Sequence, residues 1–419
     1  MKGIADFDRV KPSVMATPSA DHATRSLAKN EHPLAVIRSL APVIEANAAL
    51  SESGGTLAPD VVAAFRETNL FWLLVPRELG GLDVDVVTAL AVWEEASRAD
   101  GSSGWSLMAN CLATGIAASF LGDDAVKTMF VDDYAIAAGM AGPGGTAVAE
   151  ANGYRGSGKY QFGSGCMHAN WFCAGMMISD GKGGVRKLAT GGPEVQVCFL
   201  PRDQIEIKPE WDVFGLSGTG SIDYEVKDRF IPLDFTTERT AVQPREGRGR
   251  GTFRLGVAGL GIAGHTAVAL GLAKRALEEI SRIAERRKRP HYSGTLSEHP
   301  VFRHDFALHE ASYRAARALA FTCLQEAEKT ALSVGSASPL QLARLRQMVV
   351  YVHNVASDVV RFCHVQGGSD ALRNPSILGR CMRDMHAATQ HVFVDTTYLV
   401  DAAGPLLEWH RSGAASQES

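Results

Sequence analysis

No two of the seven cysteines have CxxC spacing, and their odd number and irregular intervals argue against a disulfide framework. Cys111, Cys166, Cys173, Cys198, Cys323, Cys363 and Cys381 sit in apolar surroundings, as buried free thiols of a reducing cytoplasm do. Charge of one sign is also lacking. Lys and Arg number 42 against 46 Asp and Glu, a net charge of -4, so there is no electrostatic footprint for nucleic acid and no polybasic membrane patch. The basic stretch Arg245 to Arg254 is spaced by glycines and reads as a solvated loop. No apolar run approaches the ~20 residues of a membrane span, and no cationic segment leads into an apolar one near Met1. These absences predict a cytoplasmic protein with no membrane segment. The G-x-S-x-G elbow is missing too, which leaves a hydrolase triad without an anchor.

What is present is organisation. Residues 1–30 are polar and aperiodic, as in a disordered tail. From 31 to 134 the apolar residues recur at helical spacing, as in Leu34, Ile37, Leu40 and Ile44, and in the run Val86 to Asp100. From 135 to 243 glycines are dense and the apolar runs are strand-length, which predicts a β domain. From 244 to 410 long helical patterns return, each long enough for a bundle helix, and 411–419 is a short tail. The order helical, then β, then helical is uncommon for 419 residues and constrains the fold more than any single motif does.

Two motifs dissolve on inspection. Gly259 to Gly264 matches GxGxxG, but it runs into an uninterrupted helical pattern instead of following a strand, so close helix packing explains it better than a dinucleotide site. Histidines at spacing five (His299, His304 and His309, then His386 and His391) would point ~140° apart on a helix, which does not suit a metal site. Two glycine-rich turns carry more. Lys159 to Trp171 ends a strand in Gly163-Ser164-Gly165, where the backbone can approach a flat ligand. Trp211 to Ser221 offers donors to a phosphate or ring carbonyl.

Taken together these segments resemble the acyl-CoA dehydrogenase superfamily over roughly Pro33 to Glu408. The markers are Pro76 to Trp105, the turn Lys159 to Gly165, Gly215 to Ser221, and Gln366 to Asp384. The resemblance implies an α+β fold: an N-terminal α-helical domain, a middle β-barrel-like domain and a C-terminal four-helix bundle. Three departures narrow it. Gly139 to Pro143 replaces the T-E-P segment of dehydrogenases. The position of the glutamate base, counted from Arg383-Asp384, reads His391-Val392-Phe393-Val394. Arg287 lacks the Phe-Gly that accompanies it in pyrophosphate binding. With the Asp100 to Trp105 segment, the turn at Phe162 to Gly165, and Arg383-Asp384 followed by His391, these departures are similar to the oxygenase components of 4-hydroxyphenylacetate hydroxylase, steroid-phenol hydroxylase and dibenzothiophene monooxygenase.

That resemblance implies an oxygenase component of a two-component flavin monooxygenase. Reduced FMN or FAD would arrive from a separate NAD(P)H-dependent flavin reductase, dioxygen would be the co-substrate, and a C4a-hydroperoxyflavin would hydroxylate a small aromatic or polycyclic substrate. It further implies Ser164 as the hydrogen-bond partner of flavin N5 and His391, on the last bundle helix, as an acid/base titrating near working pH. Asn110, His168 and His386 are weaker catalytic candidates. Phe162, Gly163, Trp211, Thr219, Ser221, Arg287, Gly367 and Gly368 are the remaining expected flavin contacts. A homotetramer is expected, and no metal. Rival readings are an FAD-dependent acyl-CoA dehydrogenase with a relocated base, an N- or S-oxygenating enzyme on the same fold, and a binding protein without catalysis.

Overall fold

The computed structural model describes residues 31–290 and 292–413; the expected tail at 1–30 and most of that at 411–419 lie outside them. Helices α1 (Pro33–Gly54), α2 (Pro59–Glu67), α3 (Val86–Ala99), α4 (Gly101–Phe120) and the short α5 (Asp123–Val126) come first. Strands β1 (Ala137–Glu150), β2 (Gly153–Gly163), β3 (Trp171–Ile178), β4 (Val195–Pro201), β5 (Glu206–Lys208), β6 (Ile222–Pro232) and β7 (Thr236–Glu238) follow. Then come α6 (Gly256–Arg286), α7 (Pro300–Val334), α8 (Pro339–Gly367), the short α9 (Ser369–Leu372), α10 (Ile377–Ala388) and α11 (Thr397–Arg411).

Local chemistry sets several of these boundaries. Asp85 caps α3 by accepting from the Thr88 amide at 2.7 Å, and Asp100 ends α3 and starts α4 by accepting from Ser103 at 2.9 Å. Ser338 and Gln341 close a capping box on α8. The strands form one mixed sheet in the order β5-β6-β2-β1-β3-β4-β7, with β1 parallel to β3 and the other pairs antiparallel. Tyr224 ties its middle together, donating to the Cys173 carbonyl at 2.6 Å and accepting from the Met140 amide at 2.8 Å.

Helices α3, α4 and α6 meet where side chains are smallest. A Cβ on Gly104 would lie 1.9 Å from Ser97 Oγ and 2.6 Å from the Ser97 backbone, and one on Gly271 would lie 2.4 Å from the Glu94 carbonyl. The glycines of the GxGxxG look-alike do the same work: Gly261 admits Phe393 and Gly264 admits Met108. On the far side of α3, buried Glu94 accepts from Arg317 at 2.7 and 2.9 Å and from Tyr313 at 2.9 Å, so its charge is paired.

Contrary to the sequence expectation, two helical stretches, Pro33–Gly54 and Thr252–Arg286, have the length and hydropathy of a membrane span. In the second, 83% of the apolar window is buried inside the fold, because α6 is the central helix of the bundle. The first carries a stripe of Val36, Ile37, Ala41, Ile44 and Ala48 against the core.

Gly104→Ala tests the close approach of the helices. Alanine would gain about 1 kcal/mol of helix propensity, but the clash with Ser97 backbone cannot be relieved by a rotamer change. A net loss of about 1–3 kcal/mol is expected, read as a lower melting temperature; an unchanged or raised value would contradict this packing.

Candidate active site

The turn after β2 is held in a backbone conformation few residues accept. Phe162 has φ 60° and Gly165 φ 71°, and a Cβ on Gly165 would strike Asn110 at 2.3 Å. The amides of Ser164, Gly165 and Cys166 are all engaged, with Phe162 O at 2.8 Å, Thr219 O at 2.9 Å and Gly163 O at 3.0 Å. Ser164 Oγ accepts from the indole of Trp105 at 2.9 Å and lies 2.6 Å from Ser221 Oγ. Ser221 Oγ lies 2.7 Å from Thr219 Oγ1, which donates to the Leu216 carbonyl at 2.8 Å. The Leu216 amide donates to Asp384 Oδ1 at 2.6 Å, which anchors this second turn to α10. Ser164 belongs to one motif and Thr219 and Ser221 to the other, and the fold brings their hydroxyls into one buried row.

Across Trp105 stand imidazoles. His391 stacks on His265 with ring centres 3.7 Å apart, and Trp105 meets His265 edge-on at 4.7 Å and His391 at 5.9 Å. Phe393 closes the group at 4.9 Å from His391. His391 is not on the last bundle helix as expected. Helix α10 ends at Ala388, and His391 is extended (φ -73°, ψ 144°), its Nδ1 accepting from the Phe393 amide at 3.3 Å to cap a short 3-10 turn. Its neutral form therefore carries the proton on Nε2. The expectation that it titrates near working pH fails as well: burial, then the charge of His353, pushes it down to about 4.

His265 and His353 were missed by sequence reasoning. They lie 88 residues apart on different helices, so no spacing links them. His353 donates from Nδ1 to the Val349 carbonyl at 2.8 Å, leaving Nε2 buried without a partner. Burial holds His353 down to about 4 and His265 well below its ordinary value.

Asn110 and His168 form a second pair. The Asn110 amide donates to the Ala137 carbonyl at 2.9 Å, so its Oδ1 accepts from His168 Nε2 at 2.9 Å. His168 Nδ1 is then the bare nitrogen, buried and unpartnered, and its ring packs on Phe71 at 5.3 Å. Burial, then Arg202 and Arg66, lowers His168 to about 4. Asn110 thus orients His168 and supports the Ser164 turn from behind.

Other expected residues lie apart. His386 is exposed on α10 against Phe214, with ring centres 5.9 Å apart. Arg287 donates to the Gly367 carbonyl and packs under Gly368, so these three gather with one another. Arg287 follows His265 by 22 residues along and just past α6, about 33 Å at 1.5 Å per residue, so within one chain it does not reach Ser164. A cavity of about 690 Å³ lined by Asn69, Gly80, Asp83 and Arg250 contains none of the expected residues.

A flavin ring fits the first group of residues. Its polar edge would meet the one uncommitted lone pair of Ser164, and its faces would meet an apolar rim. Phe162 (62% exposed) stands edge-on to Trp211 at 6.5 Å, and Phe214 and Met167 are exposed beside the two turns. Trp211 is fixed by donating to the Ser217 carbonyl at 2.9 Å.

Beneath the turns lies a carboxyl cluster. Burial, then the neighbouring Asp100, raises Asp384 to about 7, and burial raises Asp100 too. Burial alone would also raise Glu52, but its bonds to Arg383 and Arg380 hold it below its ordinary value.

Family models match at both ends of the chain: the acyl-CoA dehydrogenase N-terminal domain at residues 35–137 and the acyl-CoA dehydrogenase C-terminal domain at 263–396. The chain is 30% identical over 344 residues to an indole-3-acetate monooxygenase of Pseudomonas putida, covering 82% of this chain and 85% of that one. It is 32% identical over 208 residues, 48% of each chain, to the flavin-dependent monooxygenase oxygenase subunit HsaA of Mycobacterium tuberculosis. The solved structure of XiaF from Streptomyces sp. in complex with FADH2 and glycerol superposes with a TM-score of 0.80 at 21% identity, over 92% of this chain and 97% of that one.

The buried imidazoles make stability fall in acid. Four histidines (His168, His265, His353 and His391) have lowered folded values, so below pH 6.5 the unfolded chain binds their protons and the folded chain does not. Asp83, Asp100, Glu328 and Asp384 have the opposite sign, since the folded chain keeps their protons, but Glu52 and Glu95, held low by their arginine and lysine partners, lose stability in acid as the four imidazoles do. The melting temperature is expected to drop from pH 6.5 to about 4, and less steeply in His353→Leu. A flat profile for the wild type, or an equally steep one for the variant, would refute this account.

Proposed function

The chain belongs to the acyl-CoA dehydrogenase family, in its flavin-dependent monooxygenase branch, and from that premise we propose that it hydroxylates a small aromatic or polycyclic substrate. Reduced flavin comes from a separate reductase, which we take to be NAD(P)H-dependent. When bound, the reduced flavin supplies the two electrons with which dioxygen is split, one oxygen atom entering the substrate and the other leaving as water. The observation that carries the reading is the placement of Ser164: an acceptor in an apolar rim, joined through the Trp105 indole to stacked His265 and His391.

The residues divide the work. Ser164 holds the proton on the ring nitrogen it faces, because a proton donated into a buried acceptor is not readily lost to water. Phe162, Phe214 and Met167 keep water from the ring edge. His391, neutral and carrying its proton on Nε2, donates a hydrogen bond to a substrate hydroxyl or to reduced oxygen, and His265 stacks behind it to fix its plane. The low values of both rings keep them neutral at working pH, so no positive charge competes with an aromatic substrate for this space. An aromatic substrate is consistent with the relative named for indole-3-acetate.

Arg287 leads to a proposal about assembly. Just past the end of α6 and gathered with Gly367 and Gly368 at the end of α8, it suits the phosphate end of a flavin held by a neighbouring subunit, in a homotetramer within the cytoplasm. Sedimentation equilibrium on the purified protein should give four times the chain mass; a monomer would exclude a shared site.

The functional test is rapid mixing of the protein and anaerobically reduced FMN or FAD with dioxygen, with indole-3-acetate and simple phenols as trial substrates. Hydroxylated product is expected with at least one of them. Ser164→Ala should raise the hydrogen peroxide released per flavin oxidised several-fold, with a matching loss of product. If wild type and variant release equal peroxide, Ser164 has no part in the chemistry.

A further inference from the structure

The row Ser164, Ser221, Thr219 has a fixed direction, and its two ends set it. At one end an indole N–H can only donate, so Trp105 donates to Ser164. At the other a carbonyl can only accept, so Thr219 donates to Leu216. With its single proton spent there, Thr219 can only accept from Ser221, and Ser221 can then only accept from Ser164. Every proton in the row therefore points away from the ligand side. Ser164 is left with one lone pair and no proton to offer.

The amides of the Ser164 turn do not replace the missing donor. The amides of Ser164, Gly165 and Cys166 are all committed within the two turns. The row is also held rigidly. The Leu216 carbonyl accepts from both the amide and the hydroxyl of Thr219, and the Leu216 amide is pinned to Asp384 at 2.6 Å. Ser164, Thr219 and Ser221 are all buried, so water does not compete for their protons.

We propose that this hydroxyl row makes Ser164 an obligate acceptor and thereby selects reduced over oxidised flavin. The inference rests on the reading that Ser164 faces the N5 edge of the ring. Reduced flavin carries N–H at that edge and completes a hydrogen bond to the Ser164 lone pair. Oxidised flavin offers a lone pair there, which would face another lone pair with no proton between them. In the proposed reaction the ring enters reduced and leaves oxidised, so the same row favours entry of the reductase's product and release of the spent ring. Ser221 and Thr219 are positioning residues in this scheme, because they act through Ser164.

The experiment is anaerobic equilibrium titration with FMN and FAD in each redox state, comparing wild type with Ser164→Ala, Ser221→Ala, Thr219→Val and Thr219→Ser. Wild type should prefer the reduced form. Ser221→Ala frees the Ser164 proton to point at the ring. Thr219→Val removes the acceptor that holds Ser221, which lets the row reverse. Both should narrow the preference by about five- to tenfold, the value of one hydrogen bond, chiefly by tightening the oxidised form. Thr219→Ser keeps the hydroxyl and should keep the preference.

Equal weakening of both redox forms in Ser221→Ala and Thr219→Val would mean that these residues only support the turn, and would overturn the proposal. A preference that survives both changes but falls in Ser164→Ala would overturn it while leaving the N5 contact standing. A preference unchanged in Ser164→Ala as well would remove that contact, and the proposal with it. If Ser221→Ala does not fold, Thr219→Val, a hydroxyl exchanged for a methyl of similar size, decides alone.

Discussion

The Trp105 indole N–H donates to Ser164 Oγ at 2.9 Å, and this bond joins the helical layer to the β domain at the point where chemistry is proposed. Much of the surrounding architecture serves to bring these two atoms together. Asp100 starts α4 at the residue where α3 ends, which sets the position of Trp105 along the helix. Gly104, next to Trp105, has no side chain because the Ser97 backbone occupies that space. Gly271 lets α6 come equally close to α3, which carries His265 to the other side of the indole. On the β side, Phe162 and Gly165 adopt positive φ so that the turn reverses sharply enough to present Ser164. A side chain at Gly104 or Gly271 would push α3 from its neighbouring helices, and one at Gly165 would push the turn from Asn110 of α4.

Around that bond the fold keeps ionisable groups uncharged. His168, His265, His353 and His391 are all held low by burial, and Asp384 is held high by burial and by Asp100. The common cause is desolvation, which penalises whichever form is charged. A site lined by neutral imidazoles has weak fields and little attraction for water, which suits chemistry that water would divert. Full charges are paired, as in Glu52 with Arg380 and Glu94 with Arg317.

Much of this was legible in the chain. The helical, β and helical order appears as a change from spacing of three and four to short runs with dense glycine, because each pattern is what its layer needs to bury one face. The turn residues Phe162 to Gly165 and Thr219 to Ser221 were legible because glycine marks backbone that other residues adopt poorly. The false GxGxxG was legible as helix packing, and Gly261 and Gly264 do admit Phe393 and Met108. His265 and His353 left no such mark. A histidine that matters only through rings on other helices looks the same in sequence as one packed in a core. His391 was misplaced because the break after Ala388 has no proline or glycine, and is set by a side-chain cap on the Phe393 amide.

By itself, then, the sequence determined the layers, the turns and the family, since periodicity, glycine placement and motif order are local properties or sums of local properties. Tertiary structure decided which side chains share a space. It gathered Ser164, Ser221 and Thr219 into one row, set His265 against His391, and carried Arg287 away from both. It also decided the charge of each group and the direction of each hydroxyl. Those depend on burial and on what stands at the end of a hydrogen-bond chain, such as the Trp105 indole and the Leu216 carbonyl, and no run of neighbouring residues encodes either.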